Sequence, residues 1–88
     1  MNQKKLYVWQ LAAFLSHFEM KMSWKELADH LNRNRFLTGT GQKYKGERGT
    51  YTLIKETYRW VKEELGLKKE ASKVAQAFVK PDGSYAYK

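Results

Sequence analysis

Apolar residues recur at helical spacing in four stretches of the chain. Residues 5–19 place Leu6, Trp9 and Ala13 on one stripe and Leu11, Phe14, Leu15 and Phe18 on its neighbour. A stripe that broad predicts a first helix packed against the core. Met20, Lys21 and Met22 form a short connection, and Ser23 and Glu26 then stand at the S-x-x-E spacing of a capping box. In that device each side chain satisfies a backbone N–H that the start of a helix leaves unpaired. Met22 precedes the cap and is positioned to staple onto Leu27, while Trp24, Leu27, Ala28 and Leu31 predict the buried face of a second helix ending near Asn32–Asn34.

The strongest period begins at Tyr51. Tyr51, Ile54, Tyr58, Val61 and Leu65 step by three and four residues, and Leu53, Thr57 and Trp60 widen the stripe. Thr50 is the expected N-cap of this third helix. Gly66 followed by Leu67 has the pattern of a glycine stop with its apolar follower. A fourth helix is expected over about 68–77, turning Ala71, Val74, Ala75 and Phe78 inward.

Two stretches break the helical pattern. Between the second and third helices, Arg-Phe-Leu-Thr and Gln-Lys-Tyr-Lys are β-compatible runs separated by Gly-Thr-Gly. A small hairpin or a pair of extended arms fits that order, with Gly46 and Gly49 keeping the chain non-helical up to Thr50. At the end, Lys80-Pro81-Asp82-Gly83 supplies a type I turn, with Phe78/Val79 and Tyr85/Tyr87 as its arms. The order predicts a mostly α fold with small β-hairpins: a helix-turn-helix-like domain with one or two wings. A plain three- or four-helix bundle would give the same periodicities with no function implied.

Eighty-eight residues make a single domain, 1–88. Aromatic residues are 15% of the chain, enough for a compact core despite 30% charged residues. The absence of cysteine excludes disulfides, thiolate metal sites and a Cys nucleophile, and suits a reducing cytoplasm, the compartment expected here. Residues 1–21 superficially resemble a secretory signal, but Gln10, Ser16 and His17 interrupt the apolar run and no small-x-small site follows. No stretch approaches the ~20 apolar residues that span a bilayer.

Charge changes the picture most. The formal net charge is +8 with a pI near 9.8, which points to a polyanionic partner. Arg33, Arg35, Lys43, Lys45 and Arg48 lie against Glu47 alone, so residues 33–48 carry a net +4 (five minus one), half of the total. A long basic arm with two close glycines can follow a phosphate backbone or lie in a minor groove. Tyr44 within it either stacks on a base or anchors the arm, and anchoring is the favoured reading. If Tyr51, Ile54, Tyr58 and Val61 face inward, the third helix presents Thr52, Lys55, Glu56, Arg59 and Lys62 outward, with Thr52, Lys55 and Arg59 as candidates to approach bases. The bland alternatives are a solubilising loop and an (i, i+4) charge ladder.

No catalytic constellation emerges. His17 and His30 sit on different helices without metal-ligand spacing, and Gly39-Thr40-Gly41 lacks the Gly-Lys-Ser/Thr ending of a phosphate loop. No enzyme activity, cofactor, metal or small-molecule ligand is therefore expected.

Residues 26–55 also resemble a segment of the DNA-binding region of large serine recombinases and related mobile-element proteins. In that family a helix ending A-x-x-L-N leads into an arm with a threonine, a glycine and a tryptophan, then into a second helix. Leu27, Ala28, Leu31 and Asn32 match the helix; Phe36, Thr38 and Gly41 match the arm; Tyr44 stands in place of Trp, and Thr50 begins the next helix. The family's glycine after L-N-x-R is Arg35 here, the gap from Tyr44 to Thr50 is longer, and no recombinase catalytic domain accompanies the segment. The resemblance covers about residues 23–55 and implies a winged helix-turn-helix module of bacterial or phage type in which the arm and second helix contact DNA, without implying recombination; the function expected of the whole chain is a non-enzymatic binder of double-stranded DNA in a regulatory role, such as transcription regulation, or an architectural one. Such modules often read two half-sites as dimers, so a homodimer is open but not required. The competing expectations are a protein-interaction module or phage-type inhibitor using its basic face, and, third, RNA binding.

Overall fold

A computed structural model describes residues 3–45 and 48–79 of the chain. The helices are α1 (Gln3–His17), α2 (Trp24–Arg33), α3 (Arg48–Arg59) and α4 (Lys68–Ala77), and α3 runs on into a π-helical turn at Trp60–Glu64. The short strands β1 (Met22–Ser23) and β2 (Phe78–Val79) pair in parallel, Met22 beside Phe78 and Ser23 beside Val79. The mostly helical class with a small β element therefore holds.

That β element contains a pairing the sequence did not indicate. Phe78–Val79, read as one arm of a terminal hairpin, is tied to the residues just before α2. Phe78 is fully buried, which ties the strand to the core. Lys80 to Tyr87, the rest of that hairpin, lie outside the described residues, as do Gly46 and Glu47.

The core gathers where α1 packs on α3 and α4, and α2 packs on α3. Leu27, Leu31, Ile54, Val8, Val74 and Phe78 are its fully buried side chains of largest reach. α2 begins at the expected Ser23 cap, with one of the two backbone bonds of the capping box formed. The Ser23 hydroxyl oxygen accepts the Glu26 N–H at 3.1 Å, while the Glu26 carboxylate accepts from the Ser23 hydroxyl at 3.2 Å. Met22 and Leu27 are both in the core cluster.

α1 is phased differently from its expected stripe. Val8, Ala12 and Leu15 are buried, whereas Phe14 and Phe18 are 54% and 56% exposed. The two aromatic rings made the wrong side look like the core side; small Ala12 fits where α1 approaches its neighbours. Trp9 links α1 to α4, donating from Nε1 to Glu70 Oε1 at 3.2 Å, and it meets Trp60 edge-on at 5.9 Å. The Lys73 ammonium, 2.7 Å from Glu70, is the main reason the Glu70 carboxyl titrates below its ordinary range.

α3 also starts earlier than its cap pattern indicates. Thr50 is fully buried inside the helix, and Gly49 is helical. A Cβ added at Gly49 would reach the Tyr44 ring at 3.4 Å, which is ordinary contact, so the glycine interrupts nothing. Thr57 is buried too, its hydroxyl donating to the Leu53 carbonyl at 2.7 Å. Such back-bonding loads an acceptor that the helix itself uses and tends to bend it. The π turn begins three residues later, with the Leu65 N–H reaching the Trp60 carbonyl at 3.1 Å.

Three helix ends close through a left-handed residue. Glu19 (φ 54°) follows α1, Arg35 (φ 62°) follows α2, and Gly66 (φ 68°) follows the π turn. At the first two, paired bonds satisfy the last carbonyls: Met20 N–H to Leu15 O with Glu19 N–H to Ser16 O, and Phe36 N–H to Leu31 O with Arg35 N–H to Asn32 O. This is the Schellman arrangement. At Gly66 the closing bond spans one residue more, Leu67 N–H to Val61 O at 3.0 Å, because the turn it closes is already wide.

Candidate nucleic-acid interface

Among the described residues of the arm between α2 and α3 no strand is formed; where a small hairpin or a pair of extended arms was expected, the chain makes a single tight turn at 38–42. Thr38 organises that turn. Its N–H donates to the Gln42 carbonyl at 2.8 Å, its carbonyl accepts the Gly41 N–H at 2.9 Å, and its hydroxyl oxygen accepts the Gln42 N–H at 3.1 Å. Gly41 takes φ 79°, which explains a glycine there.

Side chains from two helices fasten the arm. The Asn32 amide of α2 pairs with the backbone of Tyr44 twice, Nδ2 donating to the Tyr44 carbonyl at 2.9 Å and Oδ1 accepting the Tyr44 N–H at 2.8 Å. Tyr44 is 5% exposed, so it anchors the arm and has no free ring face to offer a base. Lys4 of α1 donates to the Leu37 carbonyl at 2.7 Å and holds its Nζ 5.5 Å from the centre of the Tyr44 ring. Tyr7 of α1 packs its ring on Phe36 at 5.4 Å, and its hydroxyl accepts from the Asn34 amide at 3.2 Å.

Among the described residues, four basic side chains of the arm take no part in this scaffold. Arg33, Arg35, Lys43 and Lys45 are all exposed and have no carboxylate partner among the described residues. The Asn32–Tyr44 pairing brings their stretches together, since Arg33 adjoins one partner and Lys43 and Lys45 flank the other. Arg48 opens α3; its side chain lies outside the described part of the structure.

The outward face of α3 holds Thr52, Lys55 and Arg59 where the periodicity puts them: Thr52 and Arg59 exposed, Lys55 half-buried. That face is of mixed charge. Arg59 lines an open groove of about 190 Å³ with Lys5, Glu56, Trp60, Glu63 and Glu64. Thr52 lines a larger groove of about 430 Å³ that joins α3 to the arm's tip at Thr38 and Gly39 and to Lys4 and Lys5 of α1. Sequence reasoning passed over those two lysines. Their signal was a tandem pair at the start of a helix whose apolar stripe, read correctly, turns them toward α3.

Among the described residues no group of His, Asp and Glu could hold a metal ion, and no described helix is long and apolar enough to cross a membrane. No known protein family, curated protein or solved structure matches the chain.

Proposed function

We propose that the protein is a non-enzymatic binder of double-stranded DNA, of regulatory or architectural type, whose arm grips the phosphate backbone. One observation carries the reading: the arm is fastened by Asn32, Lys4 and Tyr7, while Arg33, Arg35, Lys43 and Lys45 stay exposed and without acidic partners among the described residues. Cations held on a fixed frame lose less side-chain and loop freedom on meeting a polyanion than cations on a slack loop. Each phosphate they neutralise releases condensed counterions. The resemblance to the recombinase-type helix-turn-helix segment supports the same reading, since Asn32 and Tyr44, two of the residues that carry it, are the clamp.

The roles divide unequally. The arm supplies affinity. α3 contributes less than its position suggests, because Glu56 and Glu63 sit beside Arg59 and repel phosphates.

The test is a duplex titration across salt concentrations. Replacing Arg35, Lys43 and Lys45 together by Ala should weaken binding and reduce the slope of log K against log salt by roughly 2 to 3. A triple variant that binds like the wild type sinks the arm reading. A chain this basic that fails to shift random duplex at low salt points instead to a protein partner, and preference for structured RNA in competition would move the reading to RNA.

A further inference from the structure

The arm holds two residues that its own packing does not call for. Leu37 is 48% exposed, two residues after Arg35. The ring of its neighbour Phe36 packs on Tyr7 at 5.4 Å, whereas Leu37 is turned out. Gly39, at the tip, has no internal reason to be glycine. Its φ lies outside the left-handed region, and a Cβ added there would meet nothing within 4 Å. A glycine that neither conformation nor packing requires weakens a fold through its freedom when unfolded. What it provides is a backbone that another molecule can approach closely.

The leucine is held in place. The Phe36 N–H donates to the Leu31 carbonyl at 3.0 Å, the Leu37 carbonyl accepts from Lys4 at 2.7 Å, and the Thr38 N–H donates to the Gln42 carbonyl at 2.8 Å. That last bond also sets Lys43 beside Leu37, where the two chain segments leave the turn together. A single exposed leucine is ordinary on a protein surface. One fixed between Arg35 and Lys43, both exposed and without a carboxylate partner among the described residues, stands where a polyanion is drawn against it.

B-form DNA accepts both features. Its minor groove is about 6 Å wide, which favours a tip without a side chain, and its base steps open to apolar side chains inserted from that groove, kinking the duplex. We infer that the arm bends DNA: the tip at Gly39 enters the minor groove, Leu37 wedges between two base pairs, and Arg35 and Lys43 hold the phosphates alongside. The inference rests on the duplex-binding reading and adds a deformation that phosphate contacts alone do not produce. Pyrimidine–purine steps unstack most easily and are the preferred place for the wedge.

The experiment is energy transfer between the labelled ends of a duplex of roughly 30 base pairs with a central TA step, with affinity measured on the same duplex across salt. The full chain should bend it by about 20–90°. Leu37→Ala should lose most of the bend and weaken binding roughly tenfold, with a salt slope close to wild type because leucine neutralises no phosphate. Leu37→Met should keep most of the bend, since methionine also serves as a wedge. Gly39→Val should leave the thermal melt unchanged, there being open space around it, and weaken binding by roughly tenfold. Salt-dependent binding without a bend, or a bend that Leu37→Ala leaves intact, overturns the wedge and leaves the phosphate grip standing. Wild-type affinity in Gly39→Val overturns the close approach at the tip. Absence of any duplex binding overturns the bending and the duplex-binding reading together.

Discussion

The ends of α2 and of the α3–π helix both close through a left-handed residue and lead to different things. Arg35 takes φ 62° at the first and Gly66 takes φ 68° at the second. After Gly66 the chain needs no further support: Leu67 caps α4 directly, its carbonyl accepting the Ala71 N–H at 2.9 Å. After Arg35 the chain crosses the long arm, and side chains of α1 and α2 must hold it. The cap where glycine is natural is a connector. The cap where arginine is strained opens the basic surface.

Breaking the support of the arm is the harshest test of that contrast. Tyr44→Ala removes a 5%-exposed aromatic side chain from the core cluster and should cost about 3–5 kcal/mol, read as the midpoint of chemical denaturation. Asn32→Ala leaves the Tyr44 N–H and carbonyl without the amide that pairs them and should cost about 1–3 kcal/mol. The second variant discriminates better, since it keeps the aromatic side chain. If Asn32→Ala leaves both stability and hydrogen exchange at the Tyr44 amide unchanged, the arm is held by burial of Tyr44 alone.

Gly66→Ala is the milder test, on the connector side. Alanine in the left-handed region should cost about 1–2 kcal/mol, with no change in duplex binding, because Gly66 lies on a link that is not part of the basic arm. A binding defect as large as the stability defect would mean that the two ends are coupled. This end was legible in the sequence, because a glycine followed by an apolar residue is a stop that sequence alone can carry. The end of α2 was legible only in part. Leu31, Asn32 and Phe36 marked where the helix gives way, but nothing announces that an arginine or, after α1, a glutamate takes the left-handed turn; the bonds closing those ends are backbone to backbone. The same holds for the arm. Its charge and the anchoring role of Tyr44 could be read from the residues, whereas the clamp needs two backbone groups of Tyr44 facing one amide, which no residue pattern encodes. α1 misled for a different cause. Large rings dominate a hydrophobic stripe, yet the space beside α3 and α4 admits Ala12 and excludes Phe14 and Phe18.

The smallest expected effect is the most informative one. Arg35→Gly relieves a left-handed strain of about 1–2 kcal/mol and returns about 0.5–1 kcal/mol of that as extra freedom of the unfolded glycine. The net expectation is a gain in stability of about 0.5 kcal/mol, small but opposite in sign to the usual substitution. Duplex binding should move the other way: one fewer phosphate is neutralised, and the salt slope falls by about 1. Arg35→Ala separates the two causes, since it keeps the strain and removes the charge: binding should fall as it does for glycine, without the gain in stability. Should Arg35→Gly stabilise the fold and leave binding untouched, the arginine is an ordinary exposed cap, and the surface begins at Arg33, Lys43 and Lys45. Should it stabilise the fold and weaken binding together, the fold is holding a strained residue for the sake of its charge.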